Sequence, residues 1–220
     1  MELLVVTMAY TTPERESDAL SRVRLVGETV RNAQGIITSY LYRGRGVEPC
    51  YAIFTTWESE EAWQQARERY SPRRLLIDTA HLFTSQPDQW YLTYLWGYYR
   101  PTAQQTLASM HLATIPQEKV EVVQRGWIEG LRRQAVHPLL AFGFLARGTG
   151  EHSLPLSLSG SEANAPTSNP LSHQTTLLLN LLSWGNETDR ESFYADPDYK
   201  AVRRFLRSTG TLHILSLEPV

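Results

Sequence analysis

The stretch "TTLLLNLLSW" (Thr175–Trp184) sets one amide, Asn180, among five leucines and four residues ahead of an indole, Trp184. A buried amide without a partner costs roughly 1–3 kcal/mol. Asn180 is therefore either bonded to a neighbouring strand or loop, as most buried polar side chains are, or it faces a pocket where a ligand satisfies it. On a strand, Leu178, Asn180, Leu182 and Trp184 share one face, and Leu177, Leu179 and Leu181 share the other. An amide and an indole side by side can orient a ligand through hydrogen bonds. Other candidates have plainer readings. Trp57 suits a core, and His81 and His213 suit hydrogen-bonded strand positions. Trp90, Tyr94, Trp96 and Tyr98 fall on one strand face and suit inter-sheet packing. Arg204, near Val202, Phe205 and Leu206, suits the solvated edge of a helix stripe.

The elements that must position these residues are written twice. "TTPERE" (Thr11–Glu16) answers "TIPQEK" (Thr114–Lys119), both with the Thr…Glu/Gln and Pro spacing of a helix start. "LYRG" (Leu41–Gly44) answers "LARG" (Leu145–Gly148), and Trp57 answers Trp184. "YSPR" (Tyr70–Arg73) answers "ADPD" (Ala195–Asp198), and "TAHLFTSQP" (Thr79–Pro87) answers "TLHILSLEP" (Thr211–Pro219). Five matches in one order indicate two copies of one unit. The offset grows from 104 to 127, which places a 23-residue insertion in the second copy, within the Ser-, Gly- and Pro-rich segment 148–174. The expected units are residues 1–100, ending in a connecting strand, and residues 101–220 with that inserted loop.

In the first copy, the strand Leu3–Tyr10 precedes a helix over Pro13–Ala33 whose apolar residues 19, 23, 26, 30 and 33 draw one buried stripe. "GIITSYLYRG" and "PCYAIFTTW" read as two strands. A second helix begins near Glu60, breaks at Ser71–Pro72 and restarts, and a last strand is expected over His81–Ser85. The order is βαββαβ, the ferredoxin-like unit. The second copy repeats it with helix Pro116–Val136, strands Leu139–Ala146 and Thr175–Trp184, helices Asp189–Ala195 and Pro197–Arg207, and strand Thr211–Leu217. Both Trp90–Arg100 and Thr106–Thr114 are expected as strands, the former an extra one tying the halves together. "TTLLLNLLSW" is apolar on both faces, whereas a half-exposed antiparallel strand would alternate. One face must lie under helices and the other against a second sheet. The fold class is thus α+β, with tandem ferredoxin-like repeats closing an intramolecular dimeric α+β barrel.

Composition narrows the function. A formal net charge of −2 gives no electrostatic reason to expect nucleic acid or an anionic membrane surface. Cys50 is the only cysteine, so neither a disulfide framework nor a cysteine metal cluster is expected. "ELLVVTMAY" is too short to span a bilayer and lacks a basic flank, which makes a cytoplasmic location the expectation. No P-loop, GxGxxG, HExxH or GxSxG motif is present.

"YAIFTTWESEEAWQQARE" and "LLNLLSWGNETDRESFYADPDYKAVRRFL" resemble the antibiotic biosynthesis monooxygenase (ABM) family, small ferredoxin-like proteins that usually dimerise into an α+β barrel. Two fused copies would make that dimer internal, with further pairing of two chains as an alternative. The resemblance implies an oxidoreductase that converts an anthrone or phenol of aromatic polyketide type to a quinone with O2, using neither metal nor flavin. Its implied partners are a small hydrophobic aromatic molecule and O2. In that scheme the protein supplies a dry aromatic slot, hydrogen bonds and a cation for developing negative charge. The family's strand Asn and the Trp four residues later correspond to Asn180 and Trp184, and its helix Arg to Arg204, with Arg203 beside it. These are the implied catalytic residues, with Tyr194, Phe193, Leu178 and Leu182 implied to contact substrate. The family's Tyr position falls on Arg190, with Tyr194 the nearest tyrosine, so the proton relay departs from the pattern. In the first copy Trp57 is kept, but Ile53 replaces the Asn.

Two other readings compete. Heme degradation, a branch of the same superfamily, would need a helix histidine soon after the strand Trp. Neither copy has one, leaving only His152 and His173 of the insertion. A non-catalytic carrier or sensor of a hydrophobic aromatic ligand would need the pocket alone. The catalytic reading rests on Asn180 and Trp184 facing one dry space. It predicts that Asn180→Ala or Trp184→Phe lowers turnover sharply in steady-state assays while Ile53→Ala does not. Equal losses from both halves would show the site to be elsewhere.

Overall fold

The computed structural model describes residues 1–101, 103–135, 139–148 and 175–220. Most of the expected insertion, with His152 and His173, and Val136, the last residue of the helix expected over Pro116–Val136, lie outside the described residues. In chain order the elements of the first half are β1 (Leu3–Tyr10), α1 (Glu16–Arg31), β2 (Ile36–Gly44), β3 (Cys50–Trp57), α2 (Glu60–Tyr70), α3 (Pro72–Ile77) and β4 (Asp88–Tyr99). Those of the second half are β5 (Leu107–Pro116), α4 (Val120–Ala135), β6 (Leu140–Gly148), β7 (Thr175–Trp184), α5 (Glu187–Ala195), α6 (Pro197–Thr209) and β8 (Thr211–Pro219).

The eight strands close into one barrel in the order β1-β3-β2-β8-β5-β7-β6-β4. Each half contributes a ferredoxin-like sheet, β4-β1-β3-β2 or β8-β5-β7-β6, and all neighbours run antiparallel. The halves join at two seams, β2 with β8 and β4 with β6. Closure gives each sheet's edge strands a partner, so no edge stays open.

Three apolar layers follow from strand alternation. Leu4, Val6 and Met8 of β1 and Leu177, Leu179 and Leu181 of β7 point into the barrel. Leu3, Val5 and Ala9 meet Ala19, Val23, Val26 and Val30 of α1 under the first helical layer. Leu178, Leu182 and Trp184 meet Val123, Trp127, Phe193 and Leu206 under the second. Strands buried on both faces must be apolar throughout, which is why "LLLNLL" does not alternate. Among the described residues no helix is long and apolar enough to cross a membrane.

Several expectations change. His81–Ser85 is not a strand: residues 80–82 form a short 3-10 turn, tied down by Thr11 Oγ1 to the Leu82 carbonyl at 2.6 Å and by Thr84 N to the Tyr10 carbonyl at 2.8 Å. The longer aromatic run, richer in strand-forming residues, takes the place beside β1, so β4 is the unit's own fourth strand and not an extra one. "TAHLFTSQP" and "TLHILSLEP" are therefore not equivalent, and neither are His81 and His213. A bulge at Leu95, where pairing jumps from Tyr94–Ala146 to Trp96–Leu145, splits the aromatic band between faces. Trp90 and Tyr94 join the barrel interior, while Trp96 and Tyr98 pack on the second helical layer.

The helix starts also differ from expectation. Thr11 gives its hydroxyl to the Leu82 carbonyl instead of capping a helix, and Thr114 lies inside β5. The caps that form are Ser59 on α2, Asn186 on α5 and Asp196 on α6, each accepting a backbone N–H.

Between α6 and β8 the chain passes so close to β5 that a Cβ on Gly210 would lie 2.2 Å from the Thr114 carbonyl oxygen. The backbone there is extended, so space and not dihedral preference requires glycine. Gly210→Ala should lower stability by about 1–3 kcal/mol, read as a shifted midpoint in urea unfolding.

Candidate functional site

The face of β7 that carries Asn180 and Trp184 lies beneath α5 and α6. Only Gly185 separates β7 from the Asn186 cap, whose Oδ1 accepts the Asp189 N–H at 2.8 Å. That short connection drops α5 onto the strand end. Phe193 and Tyr194 sit with ring centroids 5.3 and 5.7 Å from Trp184. Asp196 then caps α6 through the Asp198 and Tyr199 N–H groups, which fixes Tyr199 in the first turn. The Tyr199 ring lies 4.9 Å from Phe193 and 5.0 Å from Tyr194.

The strand beside β7 supplies the polar centre. His111 of β5 pairs with Asn180 in register and is only 2% exposed. Its Nε2 lies 2.8 Å from the Tyr199 hydroxyl and 3.4 Å from that of Tyr194. Burial pushes the imidazole from its ordinary 6.5 down to about 3, so it is neutral at physiological pH. Burial also raises the Tyr199 phenol, and the Tyr194 phenol beside it raises it further. Tyr194 is raised by burial as well. The Arg203 guanidinium opposes a charge on His111 and favours a phenolate on either tyrosine. Arg203 Nε and Trp184 Nε1 are buried donors without a hydrogen-bond partner. Such orphans are rare in folded proteins, and each calls for an explanation.

The structure brings most of the expected residues together. Leu178, Leu182, Trp184, Phe193 and Tyr194 share one cluster. Two placements differ. Asn180, 1% exposed, gives Nδ2 to the Phe144 carbonyl of β6 at 2.6 Å, so part of its amide is bonded to backbone across the sheet. Rings of Phe193, Tyr194 and Tyr199 gather beside Trp184 and His111, and Asn180 is not among the described residues lining the cavities at the barrel ends and beside α2. Arg204 is exposed, its Nε directed at the Lys200 carbonyl at 3.4 Å. The inward cation is Arg203, one turn beyond Tyr199, because one helical residue rotates a side chain by about 100°.

His111 and Tyr199 escape a reading of the sequence by motifs. A lone histidine in "ASMHLAT" is informative only once the β5–β7 register sets it opposite Asn180.

The first half lacks this constellation. Its strand pairs Thr7–Ile53 and Leu3–Trp57 stand where the second half has His111–Asn180 and Leu107–Trp184. Thr7 and Ser71 both donate to Gln89 Oε1, and Gln89 Nε2 to the Tyr91 hydroxyl. Trp57 Nε1 reaches Thr55 Oγ1 at 3.0 Å, and Trp63 packs against Trp57 at 5.1 Å. Here these polar groups satisfy one another, while Trp63 Nε1 and Arg22 Nε stay without a hydrogen-bond partner.

The family model of the antibiotic biosynthesis monooxygenases matches residues 3–70. Residues 3–70, from β1 to α2, are therefore similar to an ABM domain. The second half repeats the topology of the first half strand for strand. The whole chain shares its fold with solved structures of low identity. One is an anthrone oxidase-like protein, at 12% identity and TM-score 0.73, covering 100% of this chain and 91% of the other. A proposed monooxygenase of Fusobacterium nucleatum aligns at 8% identity and TM-score 0.71, covering 99% and 92%. A proposed monooxygenase of Lactobacillus acidophilus aligns at 10% identity and TM-score 0.65, covering 100% and 94%. No curated protein matches the sequence. Among the described residues, no group of three or more His, Cys, Asp or Glu side chains is placed to hold a metal ion.

His111 makes stability depend on acidity. Between its folded pKa near 3 and its ordinary 6.5, the unfolded chain binds a proton that the folded chain refuses. Its contribution is thus present above about pH 6.5 and is lost as pH falls toward 3, with a slope up to about 1.4 kcal/mol per pH unit. His111→Gln should flatten this acid limb, seen as about one fewer proton taken up on urea unfolding near pH 5.

Proposed function

We propose that the protein is a cofactor-independent monooxygenase that oxidises an anthrone- or phenol-type aromatic substrate to a quinone with O2, in the helix–sheet layer of the second half. The observation that carries this reading is the pair of unpartnered buried donors, Arg203 Nε and Trp184 Nε1, beside the neutral His111 and its two tyrosines. A substrate oxygen that gains negative charge would satisfy both donors, and a fixed cation in a dry site stabilises that charge more than water does. A substrate would enter past Tyr194, which is only partly buried where Phe193, Trp184 and Tyr199 are buried.

For an anthrone the steps balance as follows. The methylene proton passes to His111 Nε2 through the Tyr194 hydroxyl; the carbanion so formed raises the proton affinity of the imidazole facing it. One electron moves from the carbanion to O2, and the radical pair combines to form a C–O bond. The resulting peroxide takes back the proton. Loss of the second C–H with cleavage of the O–O bond leaves one oxygen as the quinone carbonyl and releases the other as water. Asn180 acts here as a positioning residue, bonding β7 to β6 so that Trp184 is held in place.

The test is O2 uptake with anthrone in chelator-treated buffer, followed with an oxygen electrode. Stoichiometric uptake and anthraquinone formation are expected. Arg203→Met should lower kcat about a hundredfold, whereas Arg204→Met should leave it within about twofold of the parent. No uptake, or equal effects of the two arginines, would refute the reading.

A further inference from the structure

At one end of the barrel a cavity of about 440 Å³ opens among β2, β3, β4 and β6. Its size falls in the range of small-molecule sites, roughly 300–1,000 Å³. Tyr94, Phe142 and Phe144 line it from the barrel's inner cluster, on the opposite side of the sheet from Trp184 and Tyr194. Three bulges, at Ile37, Leu95 and Ala141, lie at this end. Bulges spread and re-aim strands at barrel rims.

The lining has a defined chemistry. Phe144 meets Tyr94 at 5.2 Å and Phe142 at 5.8 Å, both edge to face. Thr38 Oγ1 donates to Thr56 Oγ1 at 3.0 Å, and Thr56 Oγ1 lies 2.8 Å from the Tyr94 hydroxyl, which makes a row of three hydroxyls along an otherwise aromatic wall. Burial pushes the Tyr94 phenol up to about 12, so it stays a neutral donor and acceptor. At the mouth Ile37, Tyr40 and Tyr99 are 47%, 49% and 59% exposed. Among the described lining residues the one charged side chain is Glu2.

Gly97 of β4 also lines the cavity. A Cβ there would meet no atom within 4 Å, and its φ is not positive. Neither crowding nor backbone conformation requires glycine, although glycine weakens a strand. What it does at position 97 is leave the mouth open.

We propose that this barrel end binds a neutral, planar aromatic molecule bearing a hydroxyl, with its rings against Phe142 and Phe144 and its hydroxyl on the Thr56–Tyr94 pair. Glu2, with no cation opposite it, disfavours an anionic ligand. The site is separate from the helix–sheet cluster and does not depend on the oxygenase reading.

The full-length chain is titrated with 2-naphthol, followed by the probe's own fluorescence. Saturable binding is expected. Gly97→Leu, whose side chain enters open space, should weaken it about tenfold or more by occupying the mouth. Tyr94→Phe should weaken it about three- to tenfold by removing a hydrogen bond, and carries the test if Gly97→Leu does not fold. Arg204→Met, exposed on α6, should leave the affinity within about twofold, as expected for a mutation with no shared partner. 2-Naphthoate, of like shape but charged, should bind about tenfold more weakly. Absence of saturable binding, unchanged affinity in the tested cavity variants, loss in Arg204→Met, or equal binding of 2-naphthoate would each overturn the proposal.

Discussion

Everything in this molecule depends on the hydrogen bonding of four edge strands. Each ferredoxin-like half ends in β2 and β4 or in β6 and β8, and a strand with one side unpaired invites association. The seams β2–β8 and β4–β6 satisfy both edges of both sheets inside one chain. They also enclose the apolar interior, so each strand must present non-polar side chains in two directions. Helices can cover only the outer faces, and they do so in two separate layers. The two layers are where the halves are free to differ.

They differ in how polar groups are satisfied. In the first layer Trp57 is bonded to Thr55, and Gln89 links Thr7, Ser71 and Tyr91, while Trp63 Nε1 and Arg22 Nε stay unpaired. The second keeps a neutral histidine between two tyrosines and leaves an indole and a guanidinium nitrogen unpaired. Unpaired buried donors cost stability. Both copies hold such donors, but only the second sets them beside a buried histidine bonded to two tyrosines, and that asymmetry has a chemical sense. The ring cluster over Trp184 excludes water from these donors, and exclusion of water is what makes them effective toward charge.

Much of the architecture was legible in the residues. The stripe on α1, the doubly apolar "LLLNLL", the Ser71–Pro72 break and the paired Trp57 and Trp184 led to duplicated units and a closed barrel. What failed did so for local reasons. "HLFTS" resembles a strand, but β4 is longer and takes the ladder beside β1. The aromatic band was read with an unbroken period of two, and one extra residue at Leu95 reversed it. Arg204 was implied by the family resemblance, while its helix neighbours suited a solvated edge, where it lies; helical rotation turns Arg203 inward. His111 was invisible because its partner lies 69 positions away by sequence and is found only through the β5–β7 register.

Covalent fusion has a consequence for how the molecule comes apart. In a barrel made from two chains, dilution favours separation and the midpoint of unfolding drifts with concentration. Here the linker keeps the halves at a fixed, high local concentration. Opening the barrel is then a unimolecular event, equally infrequent in a crowded solution and in one holding a single molecule.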